Sequence, residues 1–153
     1  MVASITTSFK AAIGDLDTTA QCPVGTIRED NNRVYKYCLY SGTTSIAVGD
    51  FLCYVASAGA TDTMTKVDGA NTAVPAGVAP QAVGTGTALY GWVQIKGLAT
   101  LSTALAGSPA AGDKMTTAGA AAPAVTKAAT DNASCACIAF DVANKLVSVT
   151  CPH

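Results

Sequence analysis

The sequence predicts an all-β fold: a small β-sandwich or β-barrel with an internal duplication and an extended N-terminal arm. Three observations predict it. Short runs of alternating apolar and polar residues are separated by clusters of Gly, Pro, Asn and Asp. No long stretch carries the 3.6-residue apolar period of an amphipathic helix. The phrase Ala47-Val48-Gly49-Asp50 returns as Ala110-Ala111-Gly112-Asp113. Residues 1–20 read as the arm and residues 21–153 as a single β-domain, a length that supports one core.

In the arm, Ser4, Thr6 and Ser8 alternate with Ile5 and Phe9, as they would on an edge strand, and residues 10–13 fit one helical turn. The arm is either a plain terminus or a segment that lies on a partner. Two strands follow, Gly25–Glu29 and Arg33–Tyr40, with the turn formers Asp30, Asn31 and Asn32 between them. In the second, Val34, Lys36, Cys38 and Tyr40 share one face, and Arg33, Tyr35, Tyr37 and Leu39 the other. This hairpin carries the densest charge of the chain, which reads as a solvated face.

The first Gly-Asp turn launches a strand over Phe51–Val55. Pro75–Pro80 and Tyr90–Gly97 read as paired strands joined through the turn at Thr85-Gly86-Thr87. In Tyr90-Gly91-Trp92-Val93-Gln94-Ile95-Lys96-Gly97, Trp92 and Gln94 fall on one face and Val93 and Ile95 on the other. Gly97–Leu105 fits a continued strand or a short helix. The second Gly-Asp turn launches Lys114-Met115. Residues 118–129, with Pro123 inside, read as a surface loop. Cys135–Phe140 and Leu146–Cys151 form the last hairpin, turning at Asp141–Asn144. Each Gly-Asp phrase is thus followed by a similar succession of strands.

Composition narrows the chemistry. Charged residues make up 12% and the formal net charge is −1, so no field invites nucleic acid or an anionic membrane. No apolar run approaches the roughly 20 residues that cross a bilayer, and Met1–Phe9 has neither a basic n-region nor a long apolar core. The one histidine, His153, is the last residue and a poor general base. The aspartates are scattered through turns without the spacing of a calcium loop. Gly84-Thr85-Gly86-Thr87 lacks the third glycine of a dinucleotide site. Asn132-Ala133-Ser134 matches a glycosylation sequon in a chain that shows no secretion signal. Six cysteines, Cys22, Cys38, Cys53, Cys135, Cys137 and Cys151, leave three readings open. Buried thiols lead, since cysteine packs as a small hydrophobe. Disulfides formed late and a metal site are the others, although Cys135-Ala136-Cys137 is too close for a common zinc knuckle. We expect no cofactor and no enzymatic activity.

Gly25-Thr26 ahead of an aromatic hairpin, the repeated Gly-Asp turn, Ala76-Gly77-Val78-Ala79 and Gly91-Trp92-Val93-Gln94-Ile95-Lys96-Gly97 together resemble the small capsid decoration (cement) proteins of tailed bacteriophages. The resemblance runs from about Gly25 to Leu105. It implies an all-β protein, often a homotrimer, made in the host cytoplasm and seated on the outer surface of the virion, where it binds the major capsid protein and stabilises the shell. It brings no catalytic residues. Ile5, Phe9, Ile13, Tyr90 and Trp92 are the side chains we expect to touch the capsid or a neighbouring subunit. The alternative is a carbohydrate- or receptor-binding β-sandwich of the head-fibre or adhesin type, which would use Tyr90 and Trp92 as an exposed stacking platform.

Overall fold

The structure, a computed structural model, describes residues 11–55, 62–67, 74–117, 125–129 and 136–151. Its strands are β1 (Ile27–Asp30), β2 (Arg33–Tyr40), β3 (Phe51–Tyr54), β4 (Thr63–Lys66), β5 (Pro75–Val78), β6 (Leu89–Thr100), β7 (Lys114–Thr117), β8 (Val125–Lys127), β9 (Cys137–Asp141) and β10 (Leu146–Thr150). Among the described residues there is no helix. The fold is all-β, a closed five-stranded barrel with further strands packed outside it.

The barrel closes through β2–β4–β3–β5–β6 and back to β2. Strands β2 and β6 are antiparallel over a long register in which Tyr37 faces Trp92, while β2 meets β4 in parallel at Leu39–Thr63 and Tyr40–Met64. Strand β1 adds outside as a hairpin on β2, with Asp30 opposite Arg33. Its two turn residues, Asn31 and Asn32, both take positive φ, 47° and 60°, which is the backbone that lets a two-residue loop follow strand twist. The alternation in the sequence decides what lies inside. Cys38, Tyr40, Val93 and Ile95 belong to the barrel core, and Tyr35, Tyr37 and Trp92 form a second cluster on the outer face.

Closure is tight where β5 meets β6. A Cβ on Gly77 would lie 2.4 Å from the Gln94 carbonyl oxygen and 2.5 Å from Val93 Cγ1, at φ 145°, so only glycine fits.

The duplication is structural. In the first turn the Asp50 carboxylate accepts from Ala47 N at 2.8 Å and pairs with Lys66 Nζ at 2.8 Å; in the second, the Asp113 carboxylate accepts from Ala110 N at 2.6 Å and pairs with Lys127 Nζ at 2.8 Å. Gly49 N donates to Ala79 O and Gly112 N to Ala139 O, each at 2.8 Å, and both glycines take positive φ. Strand β3 lies between β4 and β5 as β7 lies between β8 and β9. Val78 faces Gln94 as Ile138 faces Ser148. The N-terminal half of β6 is the last strand of the first unit, and its C-terminal half pairs with β10 as β2 pairs with the first half. The second ring returns at Ala106, which bridges Thr126 in parallel. Two similar units therefore share one long strand, and Val93 and Ile95 in the first are matched by buried Val147 and Val149 in the second.

Of the two readings left open for Gly97–Leu105, residues 97–100 take the continued strand, because Gly97–Thr100 pair with Leu146–Val149 of β10. Two readings from the sequence are corrected. Residues 125–127 are not loop but β8, held on β7; residues 118–124, with Pro123, lie outside the described residues. Lys36 is not on a solvated face. It points into the barrel, 9% exposed, with its ammonium 2.5 Å from the Asp62 carboxylate and 3.3 Å from the Tyr54 hydroxyl.

Candidate functional surface

The aromatic cluster is built on the outer face of β2 and β6. Tyr37 meets Trp92 edge to face with ring centroids 5.1 Å apart, and stacks near Tyr90 at 6.4 Å. Both geometries suit ring quadrupoles. Residues 11–22 lie over it as a strap. Trp92 Nε1 donates to Ala11 O at 3.2 Å, and the Arg28 guanidinium, 5.9 Å from the indole centroid, donates to the same carbonyl at 3.4 Å. Asp17 and Tyr90 exchange backbone hydrogen bonds, and Gln21 N donates to the Tyr37 hydroxyl at 3.1 Å. Beneath, the Tyr40 hydroxyl donates to Trp92 O at 2.7 Å and accepts from Gln81 Nε2 at 2.9 Å.

This arrangement corrects the expectation for Trp92. Its side chain is 0% exposed, because the strap supplies both apolar cover and the acceptor that a buried indole N–H needs. Trp92 cannot touch a partner from there, and the stacking platform required by the carbohydrate-binding alternative is covered. Tyr90 and Ile13 are half-buried at the rim of the cluster. Ile5 and Phe9 lie outside the described residues. Of the chosen contact residues, the structure brings Ile13, Tyr90 and Trp92 together.

What composition and spacing did not single out is the outer face of the second unit. Leu98 on β6, Ser148 on β10 and Ile138 on β9 sit opposite one another across three strands. Leu98 is 41% exposed, Ile138 36% and Phe140, two residues along β9 from Ile138, 59%. Half-buried Leu146 shares this face. The signal was present in Cys137-Ile138-Ala139-Phe140, where both alternating sets are apolar. Cys137 and Ala139 fill the core, so Ile138 and Phe140 must point outward.

The buried charged groups Asp50 and Lys36 have structural partners. Burial alone would raise the Asp50 pKa, but hydrogen bonds from Lys66, Ser102 and Ala47 N outweigh it and hold the carboxyl below its ordinary range. For Lys36, burial pulls the ammonium down and the Asp62 and Tyr54 contacts more than restore it, so its pKa is raised. Burial pushes the Cys38 thiol well up, away from the thiolate. Cys38, Cys53, Cys137 and Cys151 are buried thiols and Cys22 is half-buried; Cys135 lies outside the described residues. Among the described residues, no three His, Cys, Asp or Glu side chains gather as a metal-ligand set. Comparison of the chain with protein-family models, curated proteins and solved structures finds no match.

Proposed function

We propose that this protein is a structural virion component that binds the outer surface of a major capsid protein shell and stabilises it as a self-associating, homotrimeric decoration protein. The observation that carries the reading is the apolar face of Leu98, Ile138 and Phe140 on a stiff, hydrogen-bonded sheet, in a chain with only 12% charged residues. Exposed apolar groups on a preformed surface mark contact with another macromolecule. The resemblance to phage decoration proteins supplies the kind of partner. Two similar units sharing β6 suit the task, since a continuous strand joins them. The test is decoration of stripped capsids. The protein should bind purified shells at saturable copy number and raise the temperature at which they break. Shells that neither retain it nor gain stability would overturn the reading.

A further inference from the structure

On the first unit's outer face, Tyr35 on β2, Gln94 on β6 and Val78 on β5 stand opposite one another across three strands. They line a cleft of about 240 Å³, to which Val48 and Pro80 add apolar wall and Arg33 a cation. Its polar groups are not used up within the fold. Tyr35 is only 4% exposed, yet among the described residues its hydroxyl meets no partner, and it is not sealed in the core. Gln94, 5% exposed, directs its amide hydrogens to Lys96 O at 3.3 Å and Leu98 O at 2.9 Å, which leaves its carbonyl oxygen as an acceptor. Arg33 makes no ion pair among the described residues. Asp30, opposite it in the hairpin, pairs with Arg28 at 4.0 Å and accepts from Asn31 at 3.2 Å. The Arg33 stem lies against Gly97, where a Cβ would come within 3.2 Å of Arg33 Cγ. No acidic residue lines the cleft.

We propose that this cleft binds an acidic side chain on a loop of a protein partner, its carboxylate against Arg33 and the Tyr35 hydroxyl and its peptide N–H on the Gln94 carbonyl oxygen. A guanidinium without an internal carboxylate is a planar, charged donor set that matches a carboxylate in shape and sign. A tyrosine buried to its tip with a free hydroxyl offers a second donor beside it, and covering that hydroxyl is costly unless the ligand accepts from it. The acceptor at Gln94 separates a peptide from a simple anion. An inorganic anion or a free acid leaves that oxygen without a donor, whereas an acidic residue carries its own N–H a few bonds from the carboxylate. Val78 and Pro80 give the methylene stem an apolar bed, and Val48, 60% exposed, extends the same wall toward the surface that a loop would cover. The volume is about eight times the roughly 30 Å³ share of one water, room for one side chain and its peptide group.

The cleft adds a partner chemistry to the decoration reading and is tested without capsids. The probe is the blocked peptide acetyl-Ala-Glu-Ala-amide, titrated into the full chain and followed by amide NMR. Saturable shifts should centre on Arg33, Tyr35 and Gln94, with a dissociation constant on the order of millimolar, as one charged contact and little apolar area allow. The glutamine counterpart of the peptide, and free glutarate, should each bind about tenfold more weakly. Arg33→Gln should weaken the glutamate peptide about tenfold and Tyr35→Phe about threefold. Trp92 fluorescence should stay native in both. Tyr35→Phe should also leave the urea midpoint unchanged, because the hydroxyl it removes has no partner in the free protein. Shifts that do not saturate, or an affinity that survives Arg33→Gln, overturn the proposal. So does glutarate binding as tightly as the peptide, which would make this a site for free acids. A lowered urea midpoint in Tyr35→Phe overturns it too, since the hydroxyl would then be serving the fold. Peptide binding by a protein that does not bind shells leaves the proposal standing and removes the decoration reading; shell binding without peptide binding does the reverse.

Discussion

At the scale of single residues, Asp50 and Asp113 show how one turn is used at two levels of burial. Asp50 is 2% exposed and gathers Ala47 N, Ser102 and Lys66; Asp113 holds Ala110 N and Lys127 nearer the surface. Removing the buried carboxylate leaves donors without acceptors. Asp50→Ala should therefore cost about 2–4 kcal/mol in chemical denaturation, and Asp113→Ala clearly less. The pH dependence has a definite sign. The folded Asp50 pKa lies below its unfolded value, so its contribution is complete above about pH 4 and is lost as pH falls through the folded value. Acid titration of Asp50→Asn should show a shallower loss of stability below pH 4 than the wild type. Equal slopes would mean that the carboxylate does not carry this part of acid unfolding.

At the scale of elements, the thiols follow strand parity. Cys38 on β2, Cys53 on β3 and Cys137 on β9 face inward, and Cys38 donates to Gly91 O and Cys53 to Thr65 O. Cys22 sits in the strap, where burial raises its pKa against an opposing hydrogen bond from Thr26. A thiol reagent should reach Cys22 on the native protein, while Cys38, Cys53, Cys137 and Cys151 react only on unfolding. Cys22→Ser should lower the fast amplitude by one thiol. Rapid native labelling of Cys38 would show that β2 and β6 part readily, against the closure of the barrel.

For the whole molecule, the shared strand predicts cooperativity. Val93 and Val147 occupy matching core positions in the two units, both 0% exposed. Val93→Ala and Val147→Ala should each cost about 2 kcal/mol through lost burial and residual cavity. Each should shift one common transition, because unfolding either unit strips a partner from β6. Urea curves followed by Trp92 fluorescence, which reports the first unit, and by far-ultraviolet circular dichroism, which reports both, should coincide. Separate midpoints for the two probes would show that the units unfold independently.

Much of the fold was legible in the sequence because strand parity and turn chemistry are local. The alternation in Arg33–Tyr40 and Tyr90–Lys96 separated Cys38, Tyr40, Val93 and Ile95 from Tyr35, Tyr37 and Trp92, and the Gly-Asp repeat marked the duplication. Burial of a charged residue was not legible. Lys36 looks like a surface lysine until the fold brings Asp62, just ahead of β4, and Tyr54 on β3 to it. The same holds for exposure. Trp92 is the kind of residue that would serve at a surface, and Ile138 and Phe140 the kind that would serve in a core. Which of them meets solvent depends on whether a distant segment lies across the sheet. Residues 11–22 cross the first unit, and among the described residues no such segment crosses the second. The sequence by itself determined the strands, their two faces and the repeat, since these depend on neighbours a few positions apart. Only the tertiary structure decided which outer face is covered, since that depends on contacts such as Ala11 with Trp92, between residues far apart in the chain.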